Sequence, residues 1–324
     1  MNVGSRSLRT LAIAVALVGL AWAHAPALGA EPIRLVVPYP AGGATDAVAR
    51  LLADRMRPAL GEIMVDNRAG ASGTLGMGWF AKAAPNGRTL ALGTVSTLAI
   101  APFVQHPSYR PTETFRPIGL VGAAPLYVVV SAQLPVTSLN ELAALAAKRR
   151  VPLAYASVGI GSLPHVAALR FNALSGVEMI HVPYQSSQRA LLDLIAGRVQ
   201  VMFDQLATFP AAEIRHGRLR ALAVLSPERQ PELTDVPTSA EAGYPSLTLE
   251  YWVGLLAPAG TPDATIGVAS QALAVALADP DLQMRMRSIG LTPKFTSPTA
   301  FSAMIEDEVR RWGETAKLAA QGKE

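Results

Sequence analysis

A short apolar segment, a pair of glycines and an amphipathic helix follow one another near the start of the chain. Ile33–Val37 has the β-branched composition of a buried strand, and two prolines end it. Gly42 and Gly43 then let the backbone turn, and Thr45 and Asp46 are suited to cap the helix that follows. A helix that begins at the carboxyl end of a strand, with bare N–H groups, is an anion-binding arrangement.

The same arrangement recurs in the segment Tyr155-Ala-Ser-Val-Gly-Ile-Gly-Ser-Leu-Pro-His165, where Ser162 is the expected helix cap. Strand-like and helical segments alternate almost throughout the chain, which predicts α/β layering with largely parallel sheets. Ligands in such sheets bind beyond the carboxyl ends of the strands. If each glycine segment belongs to its own α/β domain, the two helix N-termini would face one another across a cleft.

Residues 1–30 have the composition of a secretory signal peptide. Arg6 and Arg9 precede an apolar stretch, residues 11–23, that is too short to span a bilayer. Small residues follow, and we expect cleavage after Ala30 and release of a soluble protein into the periplasm.

Composition excludes several classes of site. The chain has no cysteine, which rules out a lipid-anchored signal end, disulfides and thiolate metal sites. Its five histidines lack metal-ligand spacing, so we expect no metal and no cofactor. The formal net charge is only +4, without a long basic run, so nucleic acid is not an expected partner.

Some side chains have two interpretations. Ser157 or Ser162 could pair with His165 in a hydrolase, but the chain lacks a Gly-x-Ser-x-Gly elbow, so we favour binding over catalysis. Asp204 ends a buried-strand pattern and could accept a hydrogen bond from a ligand or cap the next helix. Tyr39 and Tyr184 each lie beside a proline at a strand end, where they could wall a pocket or simply pack.

Taken together, these segments resemble the Bug/TctC family of periplasmic solute-binding proteins, which serve tripartite tricarboxylate transporters. The resemblance covers essentially the whole chain after the signal. The matching segments are residues 32–46, 66–73, 84–90, 155–165, 181–184, 201–204, 222–224, 235–238 and 254–260. Gln185-Ser186-Ser187 departs from the usual family pattern near the cleft, which leaves the identity of the ligand open.

The resemblance implies a two-lobed Venus flytrap fold with a central cleft. One lobe would comprise residues 31–129 plus 252–324, and the other residues 130–251. It also implies that the two glycine segments capture a small carboxylate ligand, mainly through backbone N–H groups. The expected ligand-binding residues are Tyr39, Ala41, Gly42, Gly43, Ala44, Thr45, Thr94, Ser96, Ser157, Gly159, Gly161, Ser162, His165, Tyr184 and Asp204.

The resemblance further implies which partners the protein has. The membrane components of a tripartite transporter would receive the ligand, and a sensor kinase is a further partner that the family allows. We expect the receptor itself to be a monomer.

Overall fold

The computed structural model describes residues 31–205 and 211–321, with side chains as far as residue 313. The predicted signal peptide lies outside the described residues. Within them, no helix combines the length and the apolar character that crossing a membrane requires.

The strands of the described chain form two separate sheets. In chain order they are β1 (Ile33–Val37), β2 (Ile63–Asn67), β3 (Thr89–Thr94), β4 (Phe115–Pro125), β5 (Tyr127–Ser131), β6 (Ala154–Ser157), β7 (Ile180–Pro183), β8 (Val201–Asp204), β9 (Leu219–Val224), β10 (Glu250–Pro258) and β11 (Thr292–Pro293). Six strands make the first sheet, in the order β11-β4-β10-β3-β1-β2, and five make the second, in the order β7-β6-β8-β5-β9.

Both sheets are mixed, so the prediction of largely parallel sheets is wrong. β1 pairs in parallel with β2 and β3, and β6 pairs in parallel with β7 and β8. By contrast, β10 runs antiparallel to β3 and β4, and β5 runs antiparallel to β8 and β9. Parallel neighbours need a crossover, usually through a helix. β5 and β10 instead enter their sheets after the chain has crossed between the sheets, and they run in the opposite direction.

Helices cover the sheets and connect the parallel strands. They are α1 (Ala44–Leu60), α2 (Thr74–Phe80), α3 (Ala101–Val104), α4 (Pro111–Thr114), α5 (Leu139–Lys148), α6 (Leu163–Ser175), α7 (Ser187–Ile195), α8 (Ala211–Arg215), α9 (Asp263–Ala278), α10 (Pro280–Ser288) and α11 (Pro298–Gln321). A π-helical turn, Ser96–Ile100, follows β3 directly. Trp252, Phe301 and Trp312 are buried in one apolar cluster with residues of α6.

Both predicted glycine segments lie where the strand order reverses. The chain leaves β1 for β2 on one side, while β3 lies on the other. Likewise, β6 is followed by β7 on one side and has β8 on the other. Such reversal points open a crevice at the carboxyl ends of parallel strands, and ligands bind there.

The strands divide between the sheets as the proposed lobes require. Strands of the first sheet come from residues 33–125 and 250–293, and those of the second come from residues 127–224. This division supports the two proposed lobes, which we call lobe 1 (residues 31–129 plus 252–324) and lobe 2 (residues 130–251). Both proposed boundaries fall inside a strand, because β5 (Tyr127–Ser131) belongs wholly to the second sheet and β10 (Glu250–Pro258) belongs wholly to the first.

Candidate functional site

The first glycine segment, residues 38–43, connects β1 to α1 and is called loop 1. Gly43 is the N-cap of α1, with extended backbone angles (φ −81°, ψ 171°). Thr45 and Asp46 lie inside the first turn of the helix and are not its caps. The capping prediction is therefore wrong, because the helix starts directly after the second glycine.

Asp46 instead organises loop 1 from within the helix. Its carboxylate accepts hydrogen bonds from Gly42 N–H (2.9 Å), Arg50 Nε (3.0 Å) and Asn67 Nδ2 (3.0 Å). Burial disfavours the charged form, but these bonds and the charge of Arg50 outweigh it and lower the pKa of Asp46. Gly42 has φ +82°, a left-handed conformation that favours glycine, so this loop conformation depends on the first glycine of the pair.

Loop 1 leaves backbone donors available at the start of α1. No described residue accepts a hydrogen bond from the N–H groups of Gly43, Ala44 or Thr45. Ala41 and Gly42 are exposed, while Gly43 and Ala44 are half-buried. The 17-residue helix adds the positive end of its dipole at this point. Loop 1 is therefore arranged to bind an anion without a cationic side chain.

Hydroxyl groups line the sheet edge beside loop 1. Tyr39 OH lies 2.7 Å from Thr94 Oγ1, and Thr45 Oγ1 lies 2.9 Å from Tyr251 OH. Burial raises the pKa of Tyr39 to about 12, although hydrogen bonds from Thr94 and Ser96 act against this shift. Burial also raises the pKa of Tyr251. Both phenols therefore remain neutral at physiological pH and offer polar, uncharged contacts.

The second glycine segment, residues 158–162, connects β6 to α6 and is called loop 2. Ser162 is the N-cap of α6, as predicted. Most N–H groups of this segment already donate to acceptors within the protein. In the loop, Gly159 N–H bonds Ser157 Oγ (3.1 Å), Gly161 N–H bonds His165 Nδ1 (3.2 Å) and Ser162 N–H bonds the Gly159 carbonyl (3.2 Å). At the start of α6, Leu163 N–H bonds Ser96 Oγ (3.0 Å) and His165 N–H bonds Ser162 Oγ (3.4 Å). The two loops are therefore not equivalent, since loop 1 keeps more free donors.

Two histidines, the buried His165 and the half-buried His181, lie next to loop 2. Ser157 Oγ lies 2.7 Å from His181 Nε2, and the rings of His165 and His181 are 4.2 Å apart between centroids. Burial lowers the pKa of His181 to about 4. Ser157 thus pairs with His181 and not with His165, while Ser162 Oγ donates to the Gly159 carbonyl (2.7 Å). Neither serine hydroxyl bonds the ring of His165, as the hydrolase interpretation requires.

Tyr184 and Asp204 lie at the carboxyl edge of the second sheet. Tyr184 OH donates to Asp193 Oδ2 (2.7 Å), so its hydroxyl is engaged within lobe 2. Asp204 accepts from Ser187 Oγ (2.8 Å) and from Gln205 N–H (2.9 Å). Gln205 is not helical, and residues 206–210, where the next helix would begin, lie outside the described residues. Burial, followed by the charges of Tyr39 and Asp204, raises the pKa of Tyr251.

Several site residues escaped the sequence analysis. Asn67 fixes Asp46, Tyr251 bonds Thr45, His181 bonds Ser157 and Ser187 bonds Asp204. Asn67 and His181 belong to segments that carried the family resemblance, so a signal existed for them. Tyr251 offered none, because its position beside loop 1 results from the return of β10 to the first sheet. Among the described residues, no three metal-ligating side chains are grouped closely enough to hold an ion.

Comparison with known proteins identifies the family. Residues 48–319 match the model of the tripartite tricarboxylate transporter family receptor, TctC. The chain belongs to this family. Among its relatives, protein BugT of Bordetella pertussis is 35% identical, over 96% of both chains.

Solved structures of similar proteins agree with the fold. MatC from Rhodopseudomonas palustris with bound malate has a TM-score of 0.82 and 32% identity, and the match covers 88% of this chain and 98% of MatC. The periplasmic binding protein BugD has a TM-score of 0.81 and 35% identity, and the match covers 89% and 97% of the two chains. The predicted two-lobed α/β receptor fold is confirmed. TctC proteins are periplasmic receptors and not enzymes, so the hydrolase alternative has no support.

Proposed function

We propose that this receptor binds a small carboxylate-bearing metabolite between loop 1 and loop 2. The observation that supports this most directly is the row of N–H donors from Gly43, Ala44 and Thr45 at the start of α1. Backbone donors at a helix N-terminus suit a carboxylate in both charge and geometry. The malate bound to MatC is a ligand of this chemical class.

The other predicted contacts would recognise the remainder of the ligand. Tyr39, Thr94 and Thr45 offer hydroxyl groups on the lobe 1 side. On the lobe 2 side, Asp204 and Ser157 end neighbouring strands of the second sheet. A carboxylate at Asp204 favours a ligand that also carries a hydroxyl or amino group, since such a group can donate to it. We therefore favour hydroxy- and amino-carboxylates over simple dicarboxylates.

We further propose that residues 1–30 export the protein and are removed, and that the mature receptor delivers its ligand to the membrane components of the transporter. The family model is that of a transporter receptor, so we favour this partner over a sensor kinase. Both loops come from one chain, and a monomer is therefore sufficient to form the site.

Cell fractionation should recover a soluble protein that starts between residues 26 and 31. Full-length protein in the inner membrane would contradict the proposed export.

Titration calorimetry of the mature protein tests the ligand class. Malate, aspartate and adipate would be compared with the diamide of malate, which keeps the hydroxyl group but has no carboxylate. We expect binding of at least one acid and none of the diamide. Equal affinity for malate and its diamide would contradict carboxylate recognition, and tightest binding of adipate would contradict the role given to Asp204.

A further inference from the structure

One carbonyl group of lobe 2 accepts two side-chain hydrogen bonds from lobe 1, in addition to the bond between Leu163 N–H and Ser96 Oγ described above. The Ile160 carbonyl of loop 2 accepts hydrogen bonds from Ser72 Oγ (3.1 Å) and from Gln105 Nε2 (2.7 Å), both on the lobe 1 side. Thr74 Oγ1 donates to Gln105 Oε1 (2.8 Å), which fixes the amide with its N–H groups toward Ile160. One of the two donors, Gln105, is therefore held in place from within lobe 1.

The backbone beside these donors is strained. Ala71 (φ 46°), Ser72 (φ 52°) and His106 (φ 47°) are the non-glycine residues of the described chain with left-handed backbone angles. One of them is Ser72 itself, and another directly follows Gln105. Such conformations are unfavourable for residues with a Cβ, and they persist where the surrounding structure requires them, often at functional positions. Their presence beside both donors indicates that the position of the donors matters more than local backbone energy.

The glycines of loop 2 provide the space for this contact. A Cβ on Gly159 would lie 2.9 Å from Ser72 Oγ, and a Cβ on Gly161 would lie 3.2 Å from Gln105 Nε2. Both glycines also have positive φ angles, +115° and +78°. On the sequence alone these glycines were assigned to ligand capture. In the structure, side chains of the opposite lobe lie beside both glycines.

We propose that Ser72 and Gln105 form a latch on the Ile160 carbonyl that stabilises the closed receptor and thereby sets how tightly the ligand is held. In a two-lobed receptor the tight-binding form is the closed one, and apparent affinity scales with the fraction of molecules in that form. Two hydrogen bonds that exist only in the closed form raise this fraction whichever ligand is bound. The latch residues are thus affinity-determining groups that need not touch the ligand.

The absence of cysteine makes a direct test possible. Leu192→Cys in lobe 2 and Met284→Cys in lobe 1 would carry two dyes, because these side chains are 66% and 65% exposed. Single-molecule energy transfer then reports the ratio of closed to open molecules, with no ligand and with added malate. Gln105→Glu at neutral pH replaces the donor by a charged acceptor but keeps the acceptor for Thr74. Ser72→Ala removes the second donor, and Gln271→Glu makes the matched change at an exposed side chain of α9.

We expect Gln105→Glu to lower the closed-to-open ratio about fivefold to thirtyfold, the effect of one lost hydrogen bond together with repulsion between the new carboxylate and the Ile160 carbonyl. Ser72→Ala should lower it about threefold to tenfold, and Gln271→Glu should leave it unchanged. If neither latch variant alters the closed-to-open ratio, the proposal is overturned. The same holds if the parent and both variants show one identical population of molecules. The ratio is also measured without ligand. If malate fails to bind, this contradicts the proposed ligand class, but the effect of the variants on the ratio without ligand still tests the latch.

Discussion

Replacement of Gly43 by aspartate should separate folding stability from ligand binding. Gly43 has the extended backbone angles of an N-cap, and a Cβ there would lie 3.5 Å from the Pro40 carbonyl, an ordinary contact. The variant Gly43→Asp therefore fits without strain. Its carboxylate would accept the hydrogen bonds of the first turn of α1, where we place the carboxylate of the ligand.

The two expected effects have opposite signs. Aspartate exceeds glycine as an N-cap by a few tenths of a kcal/mol, so the free energy of unfolding should stay level or rise slightly. A ligand carboxylate that loses one or two charge-assisted hydrogen bonds loses about 1.5–3 kcal/mol for each. Two such bonds raise the dissociation constant about 10²-fold to 10⁴-fold. Repulsion between the two carboxylates adds to this loss.

Two variants at the same position serve as controls. Gly43→Ala adds only a Cβ and leaves the N–H groups free, so it should bind nearly as tightly as the parent. Gly43→Asn caps the helix with a neutral oxygen and should fall between alanine and aspartate in affinity. Calorimetric titration and thermal melting would be measured on each variant. Similar affinity in all three would refute the assignment of the ligand carboxylate to the start of α1.

Three further predictions concern single side chains. Asp204→Ala should weaken binding of a hydroxy- or amino-carboxylate by about 1–3 kcal/mol, measured by calorimetry. Ser187→Ala keeps the carboxylate of Asp204 and should leave the affinity nearly unchanged. If Asp204→Ala lowers stability but not affinity, Asp204 is not part of the binding site. His181 resists protonation down to a pKa of about 4, while an unfolded histidine titrates near 6.5, so stability should be lost as the pH falls from about 6.5 to 4. The melting temperature of His181→Gln should fall less steeply across this range, and parallel curves would contradict the assignment. Tyr251→Phe should lower the free energy of unfolding by about 1 kcal/mol in urea denaturation, because Thr45 Oγ1 loses its partner, and an unchanged midpoint would show that this hydrogen bond contributes nothing.

Local sequence was sufficient to locate both strand–loop–helix units. Composition alone indicated the strand at Ile33–Val37, and the capping role of Ser162 followed from its position before a helical segment with proline in the first turn. These features depend on interactions between residues close together in the chain, so a short segment of sequence is enough to predict them. The family resemblance then extended the local picture to a two-lobed receptor.

Tertiary structure decided what each group faces. The direction of β10, the approach of Tyr251 to Thr45 and the pairing of Ser157 with His181 all join residues far apart in the chain. Gly159 and Gly161 show the difference most clearly. The sequence predicted two glycines beside a ligand, and the fold determined that Ser72 and Gln105 of the opposite lobe also lie against them. A short segment of sequence indicates which backbone conformation its residues can adopt. The neighbours that make this conformation necessary come from distant parts of the chain, and they take their places only when the two sheets pack together.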